Sequence, residues 1–126
     1  MMDNIATMSP AELVRRAEEI AVQLTRDRLK TGQIRNFYSS IIQMRTQLAL
    51  KEDEVTDELK RDLTMLKPKI AYAAGRQTAV RATFYPFVKG ALDGIEKSNY
   101  NVKGIKNFFQ LIESIIAYHK FYGGSE

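Results

Sequence analysis

Apolar residues recur three and four positions apart along nearly the whole of this 126-residue chain, and no stretch alternates for long enough to read as a strand. A chain patterned in this way can bury its stripes only by packing helix on helix. The expected fold class is all-α: a compact bundle of about five helices in one domain over residues 1–126, with residues 1–8 a flexible lead.

Local signals set the helix ends. Ser9 can cap free amides, Pro10 suits the first helical position and Glu12 completes a capping box, so a first helix opens there and buries Leu13, Ala17, Ile20, Ala21 and Leu24. After Lys30-Thr31-Gly32 a second helix carries Ile34, Phe37, Tyr38, Ile41, Ile42 and Leu48 on its apolar side, with Arg35, Asn36 and Arg45 on its polar side. Glu52-Asp53-Glu54 marks a solvated turn. Thr56 with Asp57 and Glu58 starts a third helix, because carboxylates favour the positive end of the helix dipole. Pro68 removes one backbone donor and crowds the Thr64 carbonyl, so this helix is expected to kink or restart there and to run to about Ala74, with Gly75 as its left-handed stop. Thr78 is the expected cap of a fourth segment, bent at Pro86, whose core face is Val80, Phe84, Phe87, Val88, Ala91, Leu92 and Ile95. A turn at Ser98-Asn99-Tyr100-Asn101 leads to a last helix from about Val102. Ile105, Phe108, Phe109, Ile112, Ile115 and Ile116 line one side of it, and it ends at Gly123-Gly124.

The absence of cysteine excludes disulfides, thiolate zinc sites and cysteine nucleophiles, and it agrees with a reducing, cytoplasmic setting. The first eight residues lack a basic segment followed by an apolar run, and no stretch approaches the roughly 18 apolar residues of a membrane span. Neither export nor membrane insertion is expected. Catalytic signatures are missing too: there is a single histidine, His119, and no nucleophile elbow, phosphate loop or paired-histidine metal motif. An enzyme is not expected, nor is a cofactor. His119, beside Lys120 in the final turn, reads as a residue that interacts with the last carbonyls of its own helix.

Charge is the informative property. Residues 1–66 hold 10 Lys+Arg against 11 Asp+Glu, whereas residues 67–126 hold 9 against 4, so the net charge of +4 comes from the second half. Between Asp62 and Asp93 there is no acidic residue, yet the interval carries Lys67, Lys69, Arg76, Arg81 and Lys89 together with Tyr72, Gln77 and Tyr85. Lys69, Tyr72 and Arg76 fall at i, i+3 and i+7, on one helix face, with the two charges about 10 Å apart along the axis, a spacing that suits successive phosphates. Two readings stand side by side: a nucleic-acid-binding strip, or a solvated basic face that pairs with the acidic turn at 52–58. Arg35 sits near a helix start, where the dipole does not favour a cation. Its partner is either an external anion or a carboxylate such as Glu12 or Asp62.

Three stretches resemble the small helical subunit of type III-A CRISPR effector (Csm) complexes: Thr31-Gly-Gln-Ile-Arg-Asn-Phe-Tyr38, Leu66-Lys-Pro-Lys-Ile-Ala-Tyr-Ala-Ala-Gly-Arg76, and the tail from Phe108 to Gly124. Their order and spacing match that family from about residue 30 onward, with Gly32 standing where a small hydroxyl residue is expected. The resemblance implies a non-catalytic five-helix bundle that stacks in copies as an inner filament beside larger subunits. It also implies guide RNA and target RNA as partners. Carried onto this chain, Arg35, Lys67, Lys69 and Arg76 become backbone contacts, and Arg81 extends the strip. The competing reading is a protein-only helical adaptor whose basic face meets acidic protein partners.

Overall fold

The computed structural model describes residues 4–126. Its helices are α1 (Pro10–Arg26), α2 (Thr31–Leu50), α3 (Asp57–Arg76), α4 (Tyr85–Lys97) and α5 (Val102–Phe121), with a π-helical turn at Val80–Phe84 leading into α4. No strand occurs among the described residues.

The organising element is α5. Nine of its 20 residues are buried, and they are not confined to one narrow stripe: Ile105, Phe108, Phe109, Leu111, Ile112 and Ile115 face several neighbours. The amphipathic α1 lays Leu13, Ala17, Ile20, Ala21 and Leu24 along it, and α2 covers a second side. On that second side the Tyr38 hydroxyl and the Arg45 guanidinium both reach Glu113, at 2.8 and 3.0 Å. α3 and α4 pair with one another, and α3 closes against α2. One continuous core joins all of these elements, with Phe37 and Phe84 meeting edge to face at 5.5 Å.

Capping chemistry places the helix starts where the sequence signals them. Ser9 and Glu12 form the reciprocal capping box, and Thr56 and Asn101 accept from the backbone N–H groups of Leu59 and Gly104. Of the expected flexible lead, residues 1–3 lie outside the described residues. Within 4–8, Ile5 and Met8 are buried, and Asn107 of α5 donates to the Ile5 carbonyl at 2.8 Å.

The structure refines the expectation for the interior of the chain at five places. α3 does not restart at Pro68 but runs unbroken to Arg76, because Leu59, Leu63 and Leu66 before the proline and Ile70 and Ala74 after it bind to the same core. Gly75 is helical and not a left-handed stop; α3 ends instead at an extended Gln77. Thr78 is already inside the next helical segment, whose first carbonyl acceptor is Gln77. The bend near Pro86 is prepared upstream by the π turn. The Tyr85 N–H donates to Val80, five residues back, and the widened turn relieves the crowding that a proline ring imposes on the carbonyl four residues before it. Ile42 is the one expected core residue of α2 that lies open, while Met44 takes a place in the stripe.

His119 corrects its sequence reading most. It is fully buried and ties the end of α5 to the α1–α2 connection, not to its own last carbonyls. Nε2 lies 2.7 Å from the Leu29 carbonyl and Nδ1 lies 2.8 Å from the Thr31 hydroxyl. A carbonyl can only accept, so Nε2 carries the proton; burial disfavours a second one, and in the neutral ring Nδ1 accepts from the Thr31 hydroxyl. Gly124 then folds over the ring: a Cβ there would stand 2.1 Å from it, and the Gly124 N–H donates to the His119 carbonyl at 2.8 Å. Gly123 allows the reversal with φ of 85°.

Burial pushes the His119 imidazole below its ordinary value of 6.5, so below that pH the unfolded chain binds a proton more readily than the folded one. Stability is full above about pH 6.5 and declines as pH falls from there through the folded-state value. Urea titrations between about pH 8 and about pH 5 should show the unfolding free energy falling on the acid side by up to ~1.4 kcal/mol per pH unit, with Tm falling in parallel, and His119→Gln should flatten that dependence. Gly124→Ala should lower stability by about 1–3 kcal/mol in urea titrations, through collision with the ring.

Candidate nucleic-acid interface

α2 and α3 diverge enough to leave a groove of about 470 Å³ between them. Phe37, Ile70, Val80 and Phe84 form its apolar floor, and Gln33, Asn36, Ser39, Lys69, Tyr72 and Gln77 form a polar rim. The i, i+3, i+7 spacing holds because α3 stays helical through Arg76, so Lys69, Tyr72 and Arg76 share one exposed face. Tyr72 is 67% exposed, an unusual position for a large aromatic residue. The Arg76 guanidinium stands over its ring at 5.6 Å and donates to its hydroxyl at 3.0 Å. Lys69 reaches across to the Ser40 hydroxyl on α2.

The five sequence candidates do not fare alike. Lys69 lines the groove, Arg76 stands outside its lining over the Tyr72 ring, and among the described residues neither makes an ion pair. Arg81 also lacks one, but Nε donates to the Ala74 carbonyl at 3.2 Å, which caps the C-terminus of α3 and turns the guanidinium toward the helix end. Lys67 is drawn away. Its ammonium contacts Glu96 and sits 2.8 Å from Asp93, and these hydrogen bonds raise its pKa. The same contacts, with Lys89 at 2.8 Å, hold the Asp93 carboxyl below its usual range. Arg35 pairs with neither Glu12 nor Asp62; its partner is Glu126, at 2.7 Å.

An interval without acids in sequence is thus partly compensated in space. Asp93 and Glu96, which follow the interval, fold back onto Lys67 because α4 runs beside α3. The acidic turn does not supply this compensation: Asp53 pairs with Lys106 of α5 at 2.7 Å. Ser39, which lines the groove, and Ser40, which Lys69 reaches, were not singled out from sequence. Their position three and four residues after Asn36, on the polar side of α2, was the signal available. Among the described residues no cluster of three His, Asp or Glu could hold a metal ion, and no helix is long and apolar enough to cross a membrane.

The fold and this exposed face of α3 define a small helical protein with a polar-rimmed groove beside two open cations, and comparison with known proteins gives it a family. A family model described as Csm2 Type III-A matches residues 7–125, so the chain belongs to the Csm2 Type III-A family, a family of CRISPR small subunits and not of enzymes. It is 35% identical to the CRISPR system Cms protein Csm2 of Enterococcus italicus over 97 residues, covering 75% of this chain and 68% of that one. It is 27% identical to the protein of the same name from Streptococcus thermophilus over 127 residues, covering 97% and 100% of the two chains. No solved structure matches it.

The Arg81 geometry makes a structural prediction. Arg81→Ala should lower unfolding stability in urea by about 1 kcal/mol, by releasing the carbonyls at the end of α3. Arg81→Lys, which lacks the planar fork, should recover only part of that loss.

Proposed function

We propose that this chain is a non-catalytic small subunit of a cytoplasmic type III-A CRISPR complex in antiviral defence. In this reading it holds guide and target RNA by their backbones, without reading bases, and stacks in copies as an inner filament beside the larger subunits. The observation that carries the reading is the alignment of Lys69, Tyr72 and Arg76 on one open face of α3 at the groove, with no carboxylate paired to either cation among the described residues. Cations spaced along a helix suit a phosphate chain, and the exposed Tyr72 ring offers a face on which any base can stack. A protein that must accept every guide sequence needs such contacts and no base-edge donors or acceptors.

Within this reading Lys69 and Arg76 lead, Arg35 and Arg81 flank them, and Lys67 contributes least because two carboxylates hold it. One copy binds weakly, and neighbouring copies raise the effective local concentration.

Replacing Lys69 and Arg76 together by alanine should weaken target-RNA binding by the assembled complex on the order of tenfold at moderate salt, and should flatten the log–log salt dependence by about 0.7 for each contact removed. Circular dichroism should report unchanged helicity. Unaltered RNA affinity in the double variant would instead favour the protein-only adaptor.

A further inference from the structure

The last two residues of the chain, Ser125 and Glu126, lie across the start of α2. Their main-chain oxygens accept from the Thr31 N–H at 2.8 Å and the Gly32 N–H at 3.4 Å. Gly32, the residue out of keeping with the family pattern, fits this approach: a Cβ there would stand 3.0 Å from the Glu126 main-chain oxygen. The His119–Gly124 contact aims this segment, so the position of Glu126 is set from the core outward.

At the end of the segment the Glu126 side chain is gripped on both oxygens. Arg35 of α2 binds Oε1 at 2.7 Å and Lys120 of α5 binds Oε2 at 2.8 Å. Two cations from separate helices therefore converge on a single carboxylate, and together they bring its pKa down to about 2. A carboxylate and a phosphodiester both present two charged oxygens, so a pair of cations that straddles one can straddle the other. All three side chains remain about half exposed, so each ion pair is weak and open to exchange with a dissolved anion.

We infer that Arg35 and Lys120 form a second RNA-phosphate contact, covered in the free protein by Glu126 of its own tail, and that RNA displaces this carboxylate when it binds. The inference rests on the RNA-binding reading above. It adds Lys120, which the acid-free interval does not contain, and it makes tail closure and RNA binding mutually competitive. The charge balance favours exchange when the ligand is a polyanion, because each phosphate neutralised also releases a condensed counterion. A lone carboxylate on a tether has no such gain.

The test is Glu126→Gln in the full chain, with fluorescence anisotropy of a labelled single-stranded RNA across a salt series, beside Lys120→Ala, Lys120→Arg and the double variant Glu126→Gln/Lys120→Ala. Glu126→Gln should bind RNA roughly three- to tenfold more tightly at low salt, since two weak ion pairs no longer compete. Its salt dependence should steepen by about 0.7 for each cation freed. Adding Lys120→Ala should cancel the gain, whereas Lys120→Arg should retain wild-type affinity. A parallel calorimetric titration with inorganic tripolyphosphate asks the same question without RNA, and Glu126→Gln should again bind more tightly in a Lys120-dependent manner. Equal RNA affinity for Glu126→Gln and wild type, with Lys69→Ala/Arg76→Ala still weakened, would overturn the covered site and leave the groove reading intact. A Lys120-dependent gain with tripolyphosphate but none with RNA would overturn RNA as the occupant of this site.

Discussion

Burial of α5 on more than one side is the constraint from which the remaining architecture follows. A helix carrying Phe108, Phe109, Leu111 and Ile115 cannot leave two faces in water, since each large apolar side chain contributes about 1.5–3 kcal/mol when buried. α1 supplies one cover and α2 another, and the α3–α4 pair closes the remaining volume against α2. The groove is a consequence. α3 meets both α2 and α4, and where it leaves α2 the side chains of Phe37, Ile70 and Phe84 line a cleft instead of touching throughout.

The same packing sorts the cations. Helix pairing brings Asp93 and Glu96 against Lys67, and the tail brings Glu126 against Arg35, while Lys69 and Arg76 project on the side of α3 that meets neither acid-bearing segment. Arg81 is spent on the end of α3. The five cations singled out in the sequence become, in the folded chain, an open pair beside a groove, one residue that caps a helix end and two held by carboxylates.

Much of the fold was legible beforehand. The helix starts at Ser9, Thr56 and Asn101, and the buried faces of α1 and of the chain from Val80 to Ile95, follow from capping chemistry and a 3.6-residue period, both of which act within a turn or two. Proline and glycine were the weak points. Pro68 costs its helix one hydrogen bond, a local penalty that five buried residues on the same helix outweigh, and Gly75 stays helical for the same reason. The roles of His119 and Gly124 could not be read at all, because the Leu29 carbonyl and the Thr31 hydroxyl that define them lie some ninety residues away in the chain.

The sequence alone determined the class of the molecule, the faces its helices bury and the surplus of positive charge in its second half. These depend on residue type and on spacing along one helix, and both are written in the order of amino acids. Tertiary structure decided which cations stay open, which carboxylates they meet, and how a buried imidazole aims the tail at Arg35 and Lys120. Those outcomes depend on distances between segments remote in sequence, and a few ångströms there separate an ion pair from a free charge.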